Sequence, residues 1–449
     1  MTSLWETVAS RGTAGRGAFH SPAASVELSS LAKASCLGGQ LESLRGRSIL
    51  LGMREQLGSA LALLELDGIA RRLVLCTPEL SPETLSEVAM IAGSGVRLAD
   101  LDPIPVAGEI DRQPTMATEW ILLTSGTTGM PKLVAHTLTS LAGTLPRHPA
   151  GDASTVWSTF YDIRRYGGLQ VYLRAVLSGT PLVLSNASES TAEFLARAGA
   201  HGVTHISGTP SHWRRALMSG AAHAMRPAYV RLSGEVADQG LLDQLHEMYP
   251  DAKIAHAFAS TEAGVAFDVN DGRAGFPAEY VTNPRDGIEM KVEDGTLRIR
   301  SHRNAARYLG SVSSQLAGAD GFVDTGDLVE LKEGRYYFRG RRGGVINVGG
   351  MKVYPEEVEA VLNADPRVRM SLVRPKRNPI TGAIAVAEVV LEDAAGTGLD
   401  SSQAERIKNE LLEACRRALP AHKVPARVSF VASLNLSAAG KLVRPQEFA

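Results

Sequence analysis

The sequence predicts an α/β protein: a large N-terminal domain of parallel sheets flanked by helices with a small β-subdomain, and a small mobile C-terminal α+β domain. Short apolar runs alternate with helical patterns over the first part of the chain, which is typical of parallel strands joined by helices. From Gly287 the pattern changes to short alternating strands separated by turn residues. After Arg342 a compact segment follows in which helix, strand and helix succeed one another.

The parallel-strand pattern begins with the stretch from Gln56 to Ala70, which is expected to form an amphipathic helix. RRLVLC, from Arg71, is expected to form a strand. The segment from Leu80, LSPETLSEVAMIAGSGVRLAD, then indicates helix, turn and short strand. The same alternation recurs in PLVLS, AEFLARAGA, VTHIS, LLDQLHEMYP and KIAHAF. We therefore expect buried parallel strands with helical crossovers.

The next part of the chain predicts antiparallel hairpins. GIEMKVEDGTLRIRS and DLVELKEGRYYFRGR each hold two alternating segments around a DG or EG turn. The tail segments PEEVEAVLNADP, AVAEVVLED and AERIKNELLEACRRALP predict helix, strand and helix. Glycines between Gly340 and Gly344 are expected to act as a pivot. The predicted domains are therefore 1–340 and 341–449, and the second is expected to move as a lid.

Composition excludes several classes of protein. The 449 residues carry 47 Lys and Arg against 48 Asp and Glu, so no overall charge attracts the chain to nucleic acid or anionic lipid. Cys36, Cys76 and Cys415 are too dispersed for a thiolate metal site or a disulfide framework. No segment approaches the roughly 18 consecutive apolar residues of a membrane span, and the N-terminus lacks a signal-peptide core. We expect a cytoplasmic protein without nucleic-acid partners or membrane insertion.

The strongest chemical signal is LLTSGTTGMPKLV, from Leu122 to Val134. An apolar strand leads into small residues with accessible backbone amides and hydroxyls, and a lysine follows. Such a loop can wrap a polyphosphate. It differs from a Walker A loop, because Met130 and Pro131 separate the second glycine from Lys132. Taken alone, the motif is also compatible with an ordinary surface turn.

Further motifs follow in a fixed order: FASTEA at 258–263, DTGD at 324–327, GRRGGVINVGGMKVYPEEVE and SAAGKLVR. Together with TSGTTGMPK they resemble the acyl-adenylate-forming, or AMP-binding, superfamily of acyl- and aryl-CoA synthetases, peptide-synthetase adenylation domains and luciferases. The resemblance covers roughly Ser48 to Arg444. The first N-terminal subdomain is shorter than is usual in this family.

The resemblance implies an acid–thiol ligase that activates a carboxylic acid with ATP, releases pyrophosphate and transfers the acyl group to a thiol. Carboxylate and triphosphate are both anionic, so such a site needs cations and oriented donors. Asp327 would accept the ribose hydroxyls, and Arg341 would support the ribose or a phosphate. The implied ATP-binding residues are Thr124, Ser125, Gly126, Thr127, Thr128, Gly129, Lys132, Asp327 and Arg341.

The implied catalytic residues are Thr261, Glu262 and Lys441. Thr261 would contact the α-phosphate, Glu262 would bind Mg²⁺, and Lys441 would bridge the carboxylate and the α-phosphate as they combine. Each residue also has a plain structural interpretation. A Thr–Glu pair can simply begin a helix, and Asp327 or Lys441 can be an ordinary turn or surface residue.

The residues implied to line the acyl pocket include two departures from the family pattern: Phe258 where tyrosine is usual, and Ala259 where glycine is common. Polar groups near Asp162 disfavour a long apolar tail, because unpaired polar groups in an apolar pocket are costly. We prefer a small polar or aromatic acid, although DIRR at 162–165 could also be a solvated helix start. The full set is Tyr161, Asp162, Gly234, Phe258, Ala259 and Ser260.

Gly349 and Gly350 resemble the loop that admits a pantetheine arm after the lid rotates. The thiol co-substrate is then CoA or the phosphopantetheine of a separate carrier protein. Arg342 and Gly343 mark the hinge. The family usually has two acids directly after its hinge arginine, whereas this chain has Gly343 and Gly344. We expect rotation to survive this change.

Two alternatives stay open. An amino-acid-type adenylation enzyme that loads a carrier protein would need an acid to pair with the substrate ammonium, and Asp162 is the evident candidate. A non-catalytic nucleotide binder is the other alternative, because the front of the chain is short and the hinge is altered.

Overall fold

The computed structural model describes residues 2–12, 16–107, 112–113, 116–124, 130–143, 145, 154–310, 315–392, 400–437 and 439–444. The predicted α/β class is confirmed, since helices and parallel sheets alternate through the larger part of the chain. The α-helices of these residues are Leu4–Ala9, Leu41–Leu44, Gln56–Leu66, Pro82–Ala92, Leu138–Ala142, Tyr166–Ser178, Thr191–Ala200, Pro210–Met218, Gln239–Met248, Glu279–Thr282, Pro355–Asn363 and Ser401–Ala418.

The first sheet has eight strands among the described residues, and its centre is parallel as the apolar runs predict. Antiparallel pairs close it at both edges. In spatial order the strands are Gly264–Val269, Lys253–Ser260, Tyr229–Ser233, His205–Gly208, Trp157–Thr159, Leu182–Val183, Ala18–His20 and Ser25–Glu27.

The second sheet is mixed. Its parallel half contains the strand predicted at RRLVLC. Its antiparallel half contains the strands on either side of the proposed phosphate loop. In spatial order the described strands are Arg307–Leu309, Lys132–Thr137, Glu119–Thr124, Arg72–Leu75, Ser48–Leu51 and Val96–Leu98.

The predicted hairpins form the antiparallel third sheet, whose described strands are Phe276–Pro277, Arg335–Arg341, Val323–Lys332, Thr296–Ser301 and Ile288–Glu293. The C-terminal segment forms another sheet from Val368–Asn378, Gly382–Leu391 and Arg427–Phe430. Small two-stranded ladders pair Ile346–Val348 with Met351–Val353, and Ala34–Ser35 with Val106–Ala107.

The buried apolar side chains form separate clusters. The largest fills the space around the helices Gln56–Leu66 and Tyr166–Ser178, which both lie in the N-terminal part. The C-terminal residues from Ile346 to Val428 have a cluster of their own. This separation agrees with a pivot at 340–344, where Arg342–Gly344 forms one turn of 3₁₀ helix. The domain limits stay a prediction.

The helix Gln56–Leu66 is present, but its predicted amphipathic character is wrong. Every residue of this helix is buried. Two of its polar side chains, Gln56 and Glu65, have partners inside the protein. The Gln56 amide donates to the Ser185 carbonyl at 2.7 Å and accepts from the Ile163 N–H at 2.8 Å. Glu65 pairs with Arg112 at 2.7 Å. Buried polar groups with partners carry little penalty, so the helix tolerates burial on all sides.

Cys36, Cys76 and Cys415 all lie in the described part of the chain, and none is paired. Burial raises the pKa of the Cys76 thiol to about 12 and that of Cys415 to about 11. No helix within the described ranges has the length and apolar character that crossing a membrane requires.

Candidate active site

The proposed phosphate loop joins two antiparallel strands. Thr124 ends one strand, Lys132 begins the next, and the two residues are opposite each other in the ladder. The Lys132 ammonium lies 5.3 Å from the centre of the Tyr308 ring, a cation–π contact. The loop residues Ser125, Gly126, Thr127, Thr128 and Gly129 lie outside the described residues.

Glu262 is linked to Lys132 through Tyr308. It occupies a tight turn between two antiparallel strands of the first sheet, so the interpretation as a helix start is wrong for Thr261 and Glu262. The Tyr308 hydroxyl lies 3.4 Å from Glu262 Oε1. Burial, and then the Glu262 charge, raise the pKa of Tyr308. Tyr308 thus connects Lys132 to Glu262, and the sequence motifs gave no signal for it.

His136 holds the turn that contains Thr261 and Glu262. Its Nε2 donates to the Thr261 carbonyl at 2.7 Å, and its Nδ1 lies 3.0 Å from the Ser140 hydroxyl. The side chain is buried, and burial lowers its pKa to about 4. The imidazole is therefore neutral at pH 7 and holds the backbone of the predicted α-phosphate contact.

We expect His136 to make stability depend on pH. Its pKa is near 6.5 in the unfolded chain and about 4 in the folded one, so only the unfolded chain gains a proton as the pH falls from 6.5 towards 4. The stabilisation is complete above pH 6.5 and declines below it. The stability difference between wild type and His136→Gln should therefore shrink by about 2 kcal/mol between pH 7.5 and 5.0. Thermal unfolding of both proteins measures this difference, and a pH-independent difference would refute the buried neutral state.

Asp327 and Arg341 face each other across two strands of the third sheet. Arg341 Nε lies 3.2 Å from Asp327 Oδ1. Loss of hydration raises the pKa of Asp327, and the adjacent guanidinium opposes this shift. The arrangement holds a carboxylate and a cation side by side, as the ribose and phosphate roles of this pair require.

Lys441 reaches the same place from the C-terminal segment. A Cβ on Gly234 would lie 3.1 Å from Lys441 Cε and 3.6 Å from its Nζ. Loss of hydration, and then the Arg341 cation, lower the pKa of the Lys441 ammonium, while Asp327 raises it. The side chain keeps access to solvent. The structure thus brings Gly234, Asp327, Arg341 and Lys441 together.

Tyr161, a predicted acyl-pocket residue, is buried. Its hydroxyl donates to the Ser233 carbonyl at 2.7 Å, directly before Gly234. Burial raises the pKa of this phenol. Tyr161 therefore supports the Gly234 turn beside Lys441.

The three pocket residues at 258–260 have internal contacts. The Phe258 ring stacks on Phe338 with centres 5.2 Å apart, and Ala259 packs against the main core. Ser260 Oγ accepts the Ala263 N–H at 2.9 Å, which shapes the turn before Glu262. These contacts explain why the positions are ordered, and their contact with an acyl group stays a prediction.

Asp162 is engaged by its own neighbour. Arg164 Nε donates to Asp162 Oδ1 at 2.8 Å, and Arg164 Nη2 contacts Oδ2 at 2.5 Å. The Arg164 side chain is only 2% exposed. From the sequence, Asp162 can pair with Arg164 or Arg165 or with a polar group of the substrate, and the sequence slightly favours the substrate. The geometry favours Arg164 instead.

We therefore expect Asp162→Asn to act on stability. The change leaves a buried guanidinium without its carboxylate, at a cost of about 3 kcal/mol. It should lower the melting temperature and reduce kcat/KM for all acids alike. Glu79→Gln is the control, because Glu79 is half exposed and lies 3.7 Å from Arg165, so its loss should be nearly neutral. A selective loss for one polar acid at an unchanged melting temperature would restore the substrate role.

Gly349 and Gly350 form the turn between two short antiparallel strands, and their φ angles are 57° and 88°. Such angles favour glycine, so the turn by itself is a sufficient reason for the two glycines. The Gly349 N–H donates to the Thr381 carbonyl at 2.9 Å. At the hinge, Arg342 contacts Thr296 Oγ1 at 2.8 Å. The thiol-tunnel role, and the hinge role of Arg342 and Gly343, stay predictions.

Comparison with known proteins decides the family. The model described as "AMP-binding enzyme" matches residues 72–305, and "AMP-binding enzyme C-terminal domain" matches residues 357–441. The chain belongs to the AMP-binding enzyme family. The resemblance to acyl-adenylate-forming enzymes, and with it the prediction of an enzyme, is thereby confirmed.

This AMP-binding enzyme has curated and structural relatives of nearly its own length. The 2-succinylbenzoate–CoA ligase of Salmonella typhimurium is 27% identical in an alignment 385 residues long that covers 82% of this chain and 80% of the relative. The structure of Bacillus subtilis o-succinylbenzoate CoA synthetase with its acyl-adenylate has a TM-score of 0.75 at 22% identity, covering 98% and 97% of the two chains. The same synthetase with ATP and magnesium ion has a TM-score of 0.70 at 20% identity, covering 98% of each chain.

Proposed function

We propose that this AMP-binding enzyme is an AMP-forming ligase that joins a carboxylic acid to CoA. The observation that carries the proposal is the position of Lys441 against Gly234, beside the Asp327–Arg341 pair. These residues are far apart in the sequence and come together where an adenylate would form. The relatives named above are a CoA ligase and a CoA synthetase, which supports CoA as the acceptor.

In the first half-reaction a carboxylate oxygen of the acid attacks the α-phosphorus of ATP. The bond from that phosphorus to the bridging oxygen breaks, and pyrophosphate leaves. Lys441 places a cation between the two anionic reactants and stabilises the charge that develops. Asp327 anchors the ribose hydroxyls, and Lys132 with Thr124 and the loop 125–129 holds the departing phosphates.

The residues present fit a Mg²⁺ ion. Magnesium binds through one or two carboxylates and completes its shell with phosphate oxygens and water, so Glu262 alone is a sufficient protein ligand. Within the described ranges no cluster of three or more potential ligands offers a protein-only site. When bound, the ion neutralises phosphate charge in the first half-reaction. Tyr308 and the Ala305 N–H, which donates to the Glu262 carbonyl at 2.9 Å, orient that residue.

In the second half-reaction the CoA thiolate attacks the acyl carbon, the bond to the adenylate oxygen breaks, and AMP leaves with the thioester formed. Rotation of the C-terminal part would withdraw Lys441 and bring Gly349 and Gly350 to the site. The two-glycine turn suits this role, because it presents backbone with no side chain to the pantetheine arm. A carrier-protein phosphopantetheine carries the same arm and is the alternative acceptor.

The acid is proposed to be small and aromatic or polar. The amino-acid alternative has little support, because both oxygens of Asp162 are engaged by Arg164. The carboxylic acid in the name of the Salmonella relative is 2-succinylbenzoate, an aromatic acid.

The test is product analysis with ATP, Mg²⁺, CoA and a panel that holds benzoate, hydroxybenzoates, 2-succinylbenzoate, octanoate and amino acids. We expect AMP and one aryl-CoA thioester in equal amounts. Formation of ADP in place of AMP, or AMP without thioester in the presence of CoA, would contradict the proposal.

A further inference from the structure

The loop that carries Lys441 is held by residues of the N-terminal part. Glu235 Oε1 accepts the Leu442 N–H at 2.8 Å, and Glu235 Oε2 accepts the Ser211 N–H at 3.0 Å. One carboxylate therefore ties the residue after Lys441 to the first turn of the helix Pro210–Met218. Both oxygens are used, so the position of the loop depends on this side chain.

The residue before Lys441 is held as well. The Thr209 hydroxyl donates to the Gly440 carbonyl at 2.5 Å. A Cβ on Gly440 would lie 1.8 Å from Cε1 of His212, so this backbone packs directly on the imidazole. His212 Nδ1 in turn accepts the Thr209 N–H at 3.2 Å, which completes the N-terminal cap of the helix Pro210–Met218. We call Glu235, Thr209 and His212 the loop clamp.

The clamp is specific to one arrangement of the protein. Its bonds join residues 209–235 to residues 440–442 across the predicted hinge, and any rotation that withdraws Lys441 must break them. The Glu235 carboxylate also favours the charged form of Lys441. It raises the pKa of that ammonium, whereas loss of hydration and the Arg341 cation lower it. Glu235 lies in LSGEVA, directly after Gly234.

Resting on the proposed function, we propose that Glu235 is a positioning residue that holds Lys441 for acyl-adenylate formation and is released before thioester formation. The step it serves is the attack of the carboxylate on the α-phosphorus. Loss of Glu235 should impair that step and spare the transfer of a preformed adenylate to CoA. A merely structural role would impair both half-reactions together.

The test compares wild type with Glu235→Ala and Glu235→Gln in two half-reactions. Glu235→Ala should slow acyl-adenylate formation at least about tenfold, while thioester formation from added acyl-adenylate changes less than about twofold. Glu235→Gln should be intermediate, because its amide oxygen accepts one of the two N–H groups. Glu193→Ala is the control: Glu193 accepts the Ser190 N–H at 2.8 Å at the start of a neighbouring helix and should leave both rates unchanged.

Amide hydrogen exchange at Leu442 gives a second, activity-independent result. Exchange should be faster in Glu235→Ala than in wild type and unchanged in Glu193→Ala. Unchanged exchange at Leu442, or equal losses in the two half-reactions, would overturn the clamp. A wild-type protein that forms no adenylate with any acid would overturn the proposed function instead, and the exchange measurement would still decide the clamp.

Discussion

Replacing Lys441 by alanine should reduce acyl-adenylate formation about 100-fold or more, which corresponds to about 3 kcal/mol of transition-state stabilisation. The ammonium lies beside Gly234 and within the electrostatic reach of Asp327 and Arg341, where the carboxylate and the α-phosphate are expected to meet. Transfer of a preformed acyl-adenylate to CoA should remain largely intact. Rapid-quench assays of the two half-reactions measure this split.

Lys408→Ala is the matched control for Lys441→Ala. Lys408 lies on the helix Ser401–Ala418 and pairs with Glu405 at 3.3 Å. Its removal should change neither half-reaction. Equal losses of both half-reactions in Lys441→Ala, with an unchanged melting temperature, would contradict the alternation of two arrangements around the hinge.

Asp327→Ala should lower kcat/KM for ATP in acyl-adenylate formation about 100-fold. Hydrogen bonds to a charged carboxylate contribute about 1.5 to 3 kcal/mol each, and two ribose hydroxyls are expected to donate to this one. Glu330→Gln is the control on the same strand, where Glu330 pairs with Arg339 at 2.7 Å.

A substrate analogue separates ribose binding from a general loss of structure. Wild type should use 2′-deoxy-ATP less well than ATP, because one donor to Asp327 is missing. Asp327→Ala should no longer distinguish the two nucleotides. Undiminished discrimination in the variant would show that Asp327 does not contact the ribose.

Local patterns in the sequence were sufficient for several strands and helices of the N-terminal part. Apolar runs and helical periods at 71–76, 82–92 and 253–258 correspond to strands and helices in the structure. The helix Gln56–Leu66 shows the limit of such patterns. Gln56 and Glu65 resemble a solvated face, and their partners in distant segments, Ser185 and Arg112, permit their burial.

The strand Val368–Asn378 was not predicted, and its sequence explains why. VRMSLVRPKRN interrupts its apolar pattern with charges and a proline, and Arg374 pairs with Glu388 at 2.7 Å on the next strand. Pairing of this kind is a property of the sheet and not of the segment.

The candidate site likewise contains residues that sequence motifs indicate and residues that only the structure shows. Ordered motifs identified Glu262, Asp327 and Lys441 without any knowledge of their contacts. His136 and Tyr308, which act through another residue, lie outside these motifs. Glu235 directly follows the predicted pocket residue Gly234, but nothing in the sequence indicates its contact with the Leu442 N–H. The sequence left Arg164, Arg165 and a substrate group as possible partners of Asp162, and only the distance to Arg164 distinguishes them.

The most direct test of the account is exchange of labelled pyrophosphate into ATP in the absence of CoA. We expect exchange that requires Mg²⁺ and one aromatic or small polar acid, that is lost in Lys441→Ala, and that proceeds without thiol because adenylate formation is reversible. No exchange with any carboxylic or amino acid of the panel, in a protein that still binds ATP, would contradict the account and leave a non-catalytic nucleotide binder.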